Sequence, residues 1–172
     1  MLLMETPESP SDMSIEPIVK SHVVKDFDCG QYDINLYIHR FAKKNTLAGF
    51  GRTYVLLKPG HLRVWAYYTL AAHSIEAKEF PTSDNCPQRI SVVTLGRFGI
   101  DNSLRSKGYG DVLMAHAFGK ALEAADAIGV HGIFLTAKNR KLVKYYSKYD
   151  FESMPNNPLN MFISIPTLKK AE

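Results

Sequence analysis

The sequence predicts an α/β fold, a mixed central β-sheet flanked by helices, with elements in the order β-α-β-β-β-α-β-α-β-β. Three observations carry this expectation. Short stretches rich in β-branched and aromatic residues alternate with stretches in which apolar residues recur every three or four positions. "VHGIFLTA" (130–137) is apolar almost throughout, as befits a strand in the centre of a sheet covered on both faces. With 172 residues, 45% hydrophobic and 22% charged, the chain can bury one sizeable core and has the make-up of ordinary globular material.

The elements follow in order. "SIEPIVKSHVV" (14–24) reads as the opening strand. In "FDCGQYDINLYIHRFAKKN" (27–45), Cys29-Gly30 form a turn and a helix follows. Ile34, Ile38 and Phe41 stand at i, i+4 and i+7, with Leu36 and Tyr37 beside them. Arg40, Lys43 and Lys44 load its last turn, where the dipole favours cations. "RTYVLLKPGHLRVWAYYTLAAHSI" (52–75) gives two strands joined at "KPGH", because Pro-Gly is a strong turn signal. "FPTSDNCPQR" (80–89), with its two prolines, is a loop. "ISVVTLGRFGID" (90–101) is a strand with Gly96 and Gly99 near its end, where a glycine marks a bulge or a close backbone approach. The longest helix runs from about Asp111 to Ile128. Val112, Leu113, Ala117, Ala121, Ala124 and Ile128 face inward there, and His116, Lys120 and Glu123 face solvent. After the apolar strand, "NRKLVKYYSKYD" (139–150) is a short basic amphipathic helix, and "FESM" and "NMFISI" are closing strands separated by "PNNP".

Composition narrows the class. The net charge of +4 is compatible with a polyanionic partner without demanding one. Cys29 and Cys86 are too few and too far apart for a disulfide framework or a zinc site, so both read as free thiols and no metal is expected. No apolar stretch approaches the roughly 20 residues that span a bilayer. "MLLMETPESPSDM" lacks the basic and apolar regions of a secretory signal. It reads as a flexible leader over 1–13, with Met13 a candidate start, followed by a single domain over 14–168 in a cytoplasmic protein.

One decapeptide points to chemistry. "LRSKGYGDVL" (104–113) sets an arginine and two glycines directly before a helix. Glycines bring backbone close to a partner or turn it sharply, and the helix start offers free N–H groups and a positive dipole end. That arrangement binds anions, phosphate above all. A turn that merely joins strand to helix is the alternative reading. A dinucleotide-binding loop would come early in the chain, with a third glycine and a later acidic residue, and neither is present.

A strand with glycines, then R-x-x-G-x-G, a helix, a buried strand and a helix containing "NRKLVKYYSKYDF" resembles the GNAT superfamily of N-acetyltransferases. The resemblance implies the GNAT fold, with acetyl-CoA as cosubstrate. The coenzyme's pyrophosphate would sit on Arg105, Ser106, Lys107, Gly108, Tyr109 and Gly110, and the pantetheine arm beside the backbone of Phe98, Gly99 and Ile100. Small Gly99 would let the arm approach. Asn139 fills the family's coenzyme-contacting position, and Tyr146, seven residues on, that of the tyrosine near the thioester sulfur. A phenol there suits the chemistry, since the departing thiolate needs a proton. The sequence departs from the pattern at Leu142, usually a small residue, and at Asp150, usually glycine.

"FDCGQYDINLYI", "RTYVLL", "YYTLAAHSI", "VVTLGRFGID" and "AIGVHGIFLTAKN" together resemble the acetyltransferase toxins of bacterial type II toxin–antitoxin pairs. That resemblance implies acetylation of the α-amino group of aminoacyl-tRNA, a ribbon-helix-helix antitoxin, and a homodimer as in many family members. Arg140 and Lys144, with Lys148 on the same face, and Arg40, Lys43 and Lys44 in a second cluster, are candidate phosphate contacts. Solvated surface lysines are the competing reading. Arg97 on the motif strand is a candidate substrate contact or a structural ion-pair partner. No residue stands out as a general base: His73 falls in a strand and His116 on a helix surface. Two other functions stay open, an acetyltransferase for a small amine or a protein N-terminus, and a non-catalytic acyl-CoA-binding domain.

Overall fold

A computed structural model describes residues 9–81 and 85–170. Its strands are β1 (Ser14–Pro17), β2 (Arg52–Leu57), β3 (Ala66–Glu76), β4 (Arg89–Ile100), β5 (Gly132–Thr136), β6 (Glu152–Met154) and β7 (Asn157–Ser164). The helices are α1 (Tyr32–Arg40), α2 (Ala42–Ala48), α3 (Tyr109–Ala127), α4 (Arg140–Ser147) and α5 (Ile165–Lys170). The strands form a mixed sheet in the order β1-β2-β3-β4-β5-β7-β6. β4 and β5 pair in parallel, while β1–β2, β2–β3, β5–β7 and β7–β6 pair antiparallel. The mixed sheet and the element order follow the sequence expectation, except that the first helix is divided and a closing helix, α5, is added after the last strand.

The differences have local causes. The single helix expected after Gly30 is two: the wide φ of Phe41 (−116°) breaks the regular helix, ending α1 there, and α2 starts at Ala42. Ala42 is therefore fully buried at the position the spacing assigned to Phe41, which is exposed. The opening strand stops at Pro17, whose ring nitrogen has no hydrogen to donate. α3 begins at Tyr109, ahead of Asp111, so both glycines of the loop lie at its threshold. His116 is half-buried rather than solvent-facing: its Nδ1 lies 2.7 Å from the Tyr68 hydroxyl. Ile128, expected inward, lies beyond the helix end and is exposed. Of the expected leader, residues 1–8 lie outside the described residues, and Pro10–Asp12 form a 3-10 turn. Residues 82–84 of the loop expected over 80–89 also lie outside them.

The chain divides into two units, Met1–Leu70 with Arg97–Ala117, and Ala71–Gly96 with Phe118–Glu172. In the first, α1 lays Ile34, Tyr37 and Ile38 over Val55, Leu57 and Tyr67. A nine-residue helix is marginal on its own, so this burial, roughly 1.5–3 kcal/mol per large side chain, is what holds it. The Tyr67 hydroxyl donates to the Ile34 carbonyl (2.7 Å), and burial pushes its phenol well above the usual range. In the second unit, Ile75, Phe80, Ile90, Val92, Phe134 and Met154 form the core, with Phe162 edge-on to Phe80. Both cysteines are free, Cys29 buried and Cys86 partly so. No helix among the described residues is long and apolar enough to cross a membrane.

Gly132 of β5 has no room for a side chain: a Cβ there would lie 2.1 Å from the Ile163 carbonyl oxygen and 2.6 Å from the Phe162 ring. Gly132→Ala is expected to cost about 3 kcal/mol or more, because β7 backbone would have to move. Urea denaturation checks this, and a loss below about 1 kcal/mol would contradict the close β5–β7 approach.

Candidate active site

In the first unit, β4 ends at Ile100 and a 3-10 turn (Asn102–Leu104) leads into the glycine loop. Buried Asp101 fixes this junction. Its Oδ1 accepts from the Ser103 N–H (3.1 Å) and hydroxyl (2.7 Å), and its Oδ2 from the Asp28 N–H (3.1 Å). The Asp101 N–H donates to the Trp65 carbonyl (2.9 Å). Arg63 lies 3.7 Å from the carboxylate and stacks over Trp65. Leu104 is buried just beyond and anchors the loop.

From that anchor the loop runs exposed through Arg105, Ser106, Lys107 and Gly108. Ser106 (φ 60°) and Gly108 (φ 86°) are both left-handed. The cost of that conformation at a serine, roughly 1–2 kcal/mol, suits a loop shaped for something other than stability. Tyr109 is buried, so of this residue only the backbone is open to the loop. α3 then starts, and as in any helix its first turn directs N–H groups and a positive dipole end out of the helix.

Arg105 points inward, donating from its guanidinium to the Cys29 carbonyl. This joins the loop to the Phe27–Gly30 turn. There the Asp28 carboxylate accepts from the Gly30 N–H (2.8 Å) and the Asn35 amide (2.9 Å), and the Cys29 N–H donates to Asn35 (2.9 Å). Those bonds hold the Asp28 carboxyl below the usual carboxylate range. Burial pushes the Cys29 thiol up, which leaves it a poor nucleophile.

The motif strand meets α1 in the same unit. Arg97 stacks its guanidinium over Tyr37, 4.1 Å from the ring centre. Phe98 and Ile100 are half-buried and Gly99 is buried. A Cβ on Gly99 would stand 2.6 Å from Ile34 Cγ2 and 3.2 Å from Phe27. Ile34 of α1 and Phe27 thus leave no room for a side chain at this position of the motif strand.

In the second unit, Asn139 is the N-cap of α4: extended backbone, with its side-chain oxygen accepting from the Leu142 N–H (3.0 Å). Arg140 and Lys144 are exposed along the helix. Tyr146 lies near its end, edge-on to Tyr145 and to buried Phe151. Burial raises its phenol well above the usual tyrosine range, so it keeps its proton. Asp150 takes φ 69°, the left-handed conformation that the expected glycine would supply. The turn into Phe151 is thus preserved despite the substitution.

The structure brings Arg97, Phe98, Gly99, Ile100 and the Arg105–Gly110 loop together in the first unit, and Asn139, Arg140, Lys144 and Tyr146 in the second. A cleft of about 1030 Å³ in the second unit, lined by Phe80, Ile90, His131 and Phe162 among others, includes neither Asn139 nor Tyr146. Among the described residues, no group of three His, Cys, Asp or Glu could hold a metal. Sequence reasoning missed Asp101 and Asp28 as organisers. Both stood in quoted motifs, but the bond that joins them, from the Asp28 N–H to the Asp101 carboxylate, spans 73 positions of the chain.

A mixed sheet whose parallel pair is β4–β5, a glycine loop opening a long helix, and a capped basic helix carrying a protonated tyrosine define the GNAT acetyltransferase fold. No family model matches the chain. It is 30% identical over 142 residues, 81% of this chain and 84% of the relative, to the tRNA-acetylating toxin of Mycobacterium tuberculosis H37Rv. A crystal structure of a tyrosine-to-phenylalanine variant of KacT superposes with a TM-score of 0.88 at 27% identity, covering 94% of this chain and 99% of that one. AtaT complexed with acetyl-methionyl-tRNAfMet gives 0.87 at 28% identity, covering 93% and 99%. The chain belongs to the family of the tRNA-acetylating toxins.

Asp28 supplies a pH test. Because its folded pKa is depressed, the stability it contributes is present above the unfolded value of about 3.9 and lost as pH falls through the folded value. The stability gap between wild type and Asp28→Asn is expected to shrink between about pH 5 and 3. A gap constant over that range would contradict the lowered pKa of Asp28.

Proposed function

We propose that this protein transfers the acetyl group of acetyl-CoA to the α-amino group of aminoacyl-tRNA, and acts as the translation-blocking toxin of a toxin–antitoxin pair. The observation that carries the coenzyme reading is the exposed Arg105–Gly110 loop, with two left-handed residues at the start of a nineteen-residue helix. Two linked phosphates want converging backbone N–H donors and an adjacent dipole, and that loop supplies both. Ser106, Lys107 and Gly108 hold the pyrophosphate, with the Tyr109 and Gly110 backbone behind them. Arg105 serves by tying the loop to Cys29. The backbone of Phe98, Gly99 and Ile100 pairs with the pantetheine amides as an added strand would, and Asn139 contacts the coenzyme from its cap position.

The substrate reading is supported by the relatives, among them AtaT captured with an acetylated methionyl-tRNA. When the amine attacks the thioester carbonyl, the new C–N bond forms and the C–S bond breaks. The departing sulfur takes a proton from the Tyr146 hydroxyl, which its raised pKa keeps loaded. An aminoacyl ester's amine is less basic than a lysine's, so its neutral form attacks without a protein base; the nitrogen then sheds its surplus proton to solvent, from which the Tyr146 phenolate is reprotonated. Arg97, Arg140 and Lys144 supply positive charge toward the RNA. A cytoplasmic homodimer restrained by a ribbon-helix-helix antitoxin completes the reading, supported by the AtaT complexes with the AtaR C-terminus and the KacTA–DNA complex.

Labelled acetyl is expected to pass from acetyl-CoA into charged tRNA and not into deacylated tRNA. Label entering free amines or protein N-termini instead would replace the substrate. Tyr146→Phe is expected to lower kcat about 10²–10⁴-fold while leaving the Kd for acetyl-CoA unchanged. The wild-type rate is expected to hold its plateau past pH 9, since the ordinary phenol pKa of about 10 is raised here. A near-normal variant would remove the acid role, and a fall in wild-type rate near pH 9 that the variant abolishes would contradict the raised pKa.

A further inference from the structure

Besides the basic α4 stretch, a longer run of positive charge without acid lies between α1 and β3. Between Ile34 and Ile75 there is no Asp or Glu, while Arg40, Lys43, Lys44, Arg52, Lys58 and Arg63 fall in that stretch, more than the +4 of the whole chain. Exposed apolar groups gather in the same place. Of seven exposed large hydrophobics among the described residues, Phe41, Leu47 and Phe50 lie on α2 or at its ends. α2 docks through buried Ala42, with Lys43, Asn45 and Thr46 half-buried beside it, and leaves Lys44, Leu47 and Ala48 exposed.

This surface is held rigid. Gly49 closes α2 in the left-handed conformation (φ 82°), its N–H donating to the Thr46 carbonyl and that of Phe50 to Asn45 (2.9 Å). Such a turn commonly folds its following apolar residue back onto the helix, whereas Phe50 stays 77% exposed. Lys44 lies over the Phe41 ring (4.5 Å), and Phe41 stacks on Tyr37, whose ring also carries Arg97. A row of cations and rings thus runs from the motif strand to α2. Lys43 is engaged by the Lys20 and His22 carbonyls, so Arg40, Lys44 and Arg52 are the cations this face presents.

We infer that the α2 face, Arg40 to Arg52, receives the single-stranded 3′ end of the tRNA, with Phe50 and Leu47 against bases and Arg40, Lys44 and Arg52 on phosphates. Rings interleaved with cations, and no carboxylate for forty residues, fit a polyanion that carries planar groups. A duplex would take the charges and have no use for the rings. This rests on the reading that charged tRNA is the substrate.

The test uses the full chain. Wild type must first acetylate charged tRNA; if it does not, the substrate reading and this inference both fall. If it does, Leu47→Ser with Phe50→Ser is expected to weaken binding of deacylated tRNA about tenfold, with no further loss on tRNA trimmed of its 3′ single strand. Both residues are exposed, and an unchanged Kd for acetyl-CoA reports an intact fold. Arg40→Glu with Lys44→Glu is expected to flatten the salt dependence of binding by roughly one to two ions. Unaltered tRNA binding and salt slope in both pairs, with transfer intact, would overturn the inference and leave the face to a protein partner. Equal losses on intact and trimmed tRNA would also overturn it.

Discussion

Much of the first unit depends on one buried carboxylate. Asp101 stands where the motif strand ends, and it accepts hydrogen bonds from two segments far apart in sequence, Ser103 ahead of the glycine loop and Asp28 ahead of α1. Arg63 supplies a counter-charge at 3.7 Å. A buried carboxylate without such partners costs several kcal/mol, and each bond to a charged acceptor returns about 1.5–3 kcal/mol. Those bonds are made only while strand end, loop and turn keep their positions. The same bonds that satisfy the charge therefore set where the loop begins.

The Arg105 link to Cys29 closes a second connection between the same two segments, so loop and turn are tied at both ends. α1 grows from that turn and is pressed onto β4 where Gly99 leaves room for Ile34. Coenzyme loop, motif strand and α1 are thus one mechanical piece. In the second unit the equivalent economy is local: Asn139 starts α4, left-handed Asp150 ends its turn, and Phe151 braces Tyr146 between them.

The fold was legible in the sequence wherever a signal is local. Apolar periodicity, Pro-Gly at the β2–β3 turn and the glycine loop each act through neighbours in the chain, and the strand and helix order follows from them. The misreadings share one cause. Phe41 continued the helical spacing, yet a step of one residue gave the inward place to smaller Ala42, which fits against the sheet. His116 read as a surface residue because its partner Tyr68 is 48 positions away. Gly99 also makes room for Ile34 of α1, a need that its own motif does not display. At Asp150 the residue type departed from the family pattern while the backbone kept its conformation, which a sequence cannot display. Asp101 and Asp28 were visible as letters in motifs, but a role made of contacts over 73 positions is not written in either motif alone.

The claim that the polar junction at Asp101 holds the coenzyme loop is the most exposed to direct test. Titration calorimetry of acetyl-CoA into Asp101→Asn, beside Ile75→Val in the core of the other unit as a control for general loss of stability, separates loop placement from folding. If Asp101 sets the loop, Asp101→Asn stays folded and binds acetyl-CoA about tenfold more weakly, a loss of about 1.4 kcal/mol, while Ile75→Val binds as wild type does. A folded Asp101→Asn with wild-type affinity, or an equal loss in both variants, would contradict it.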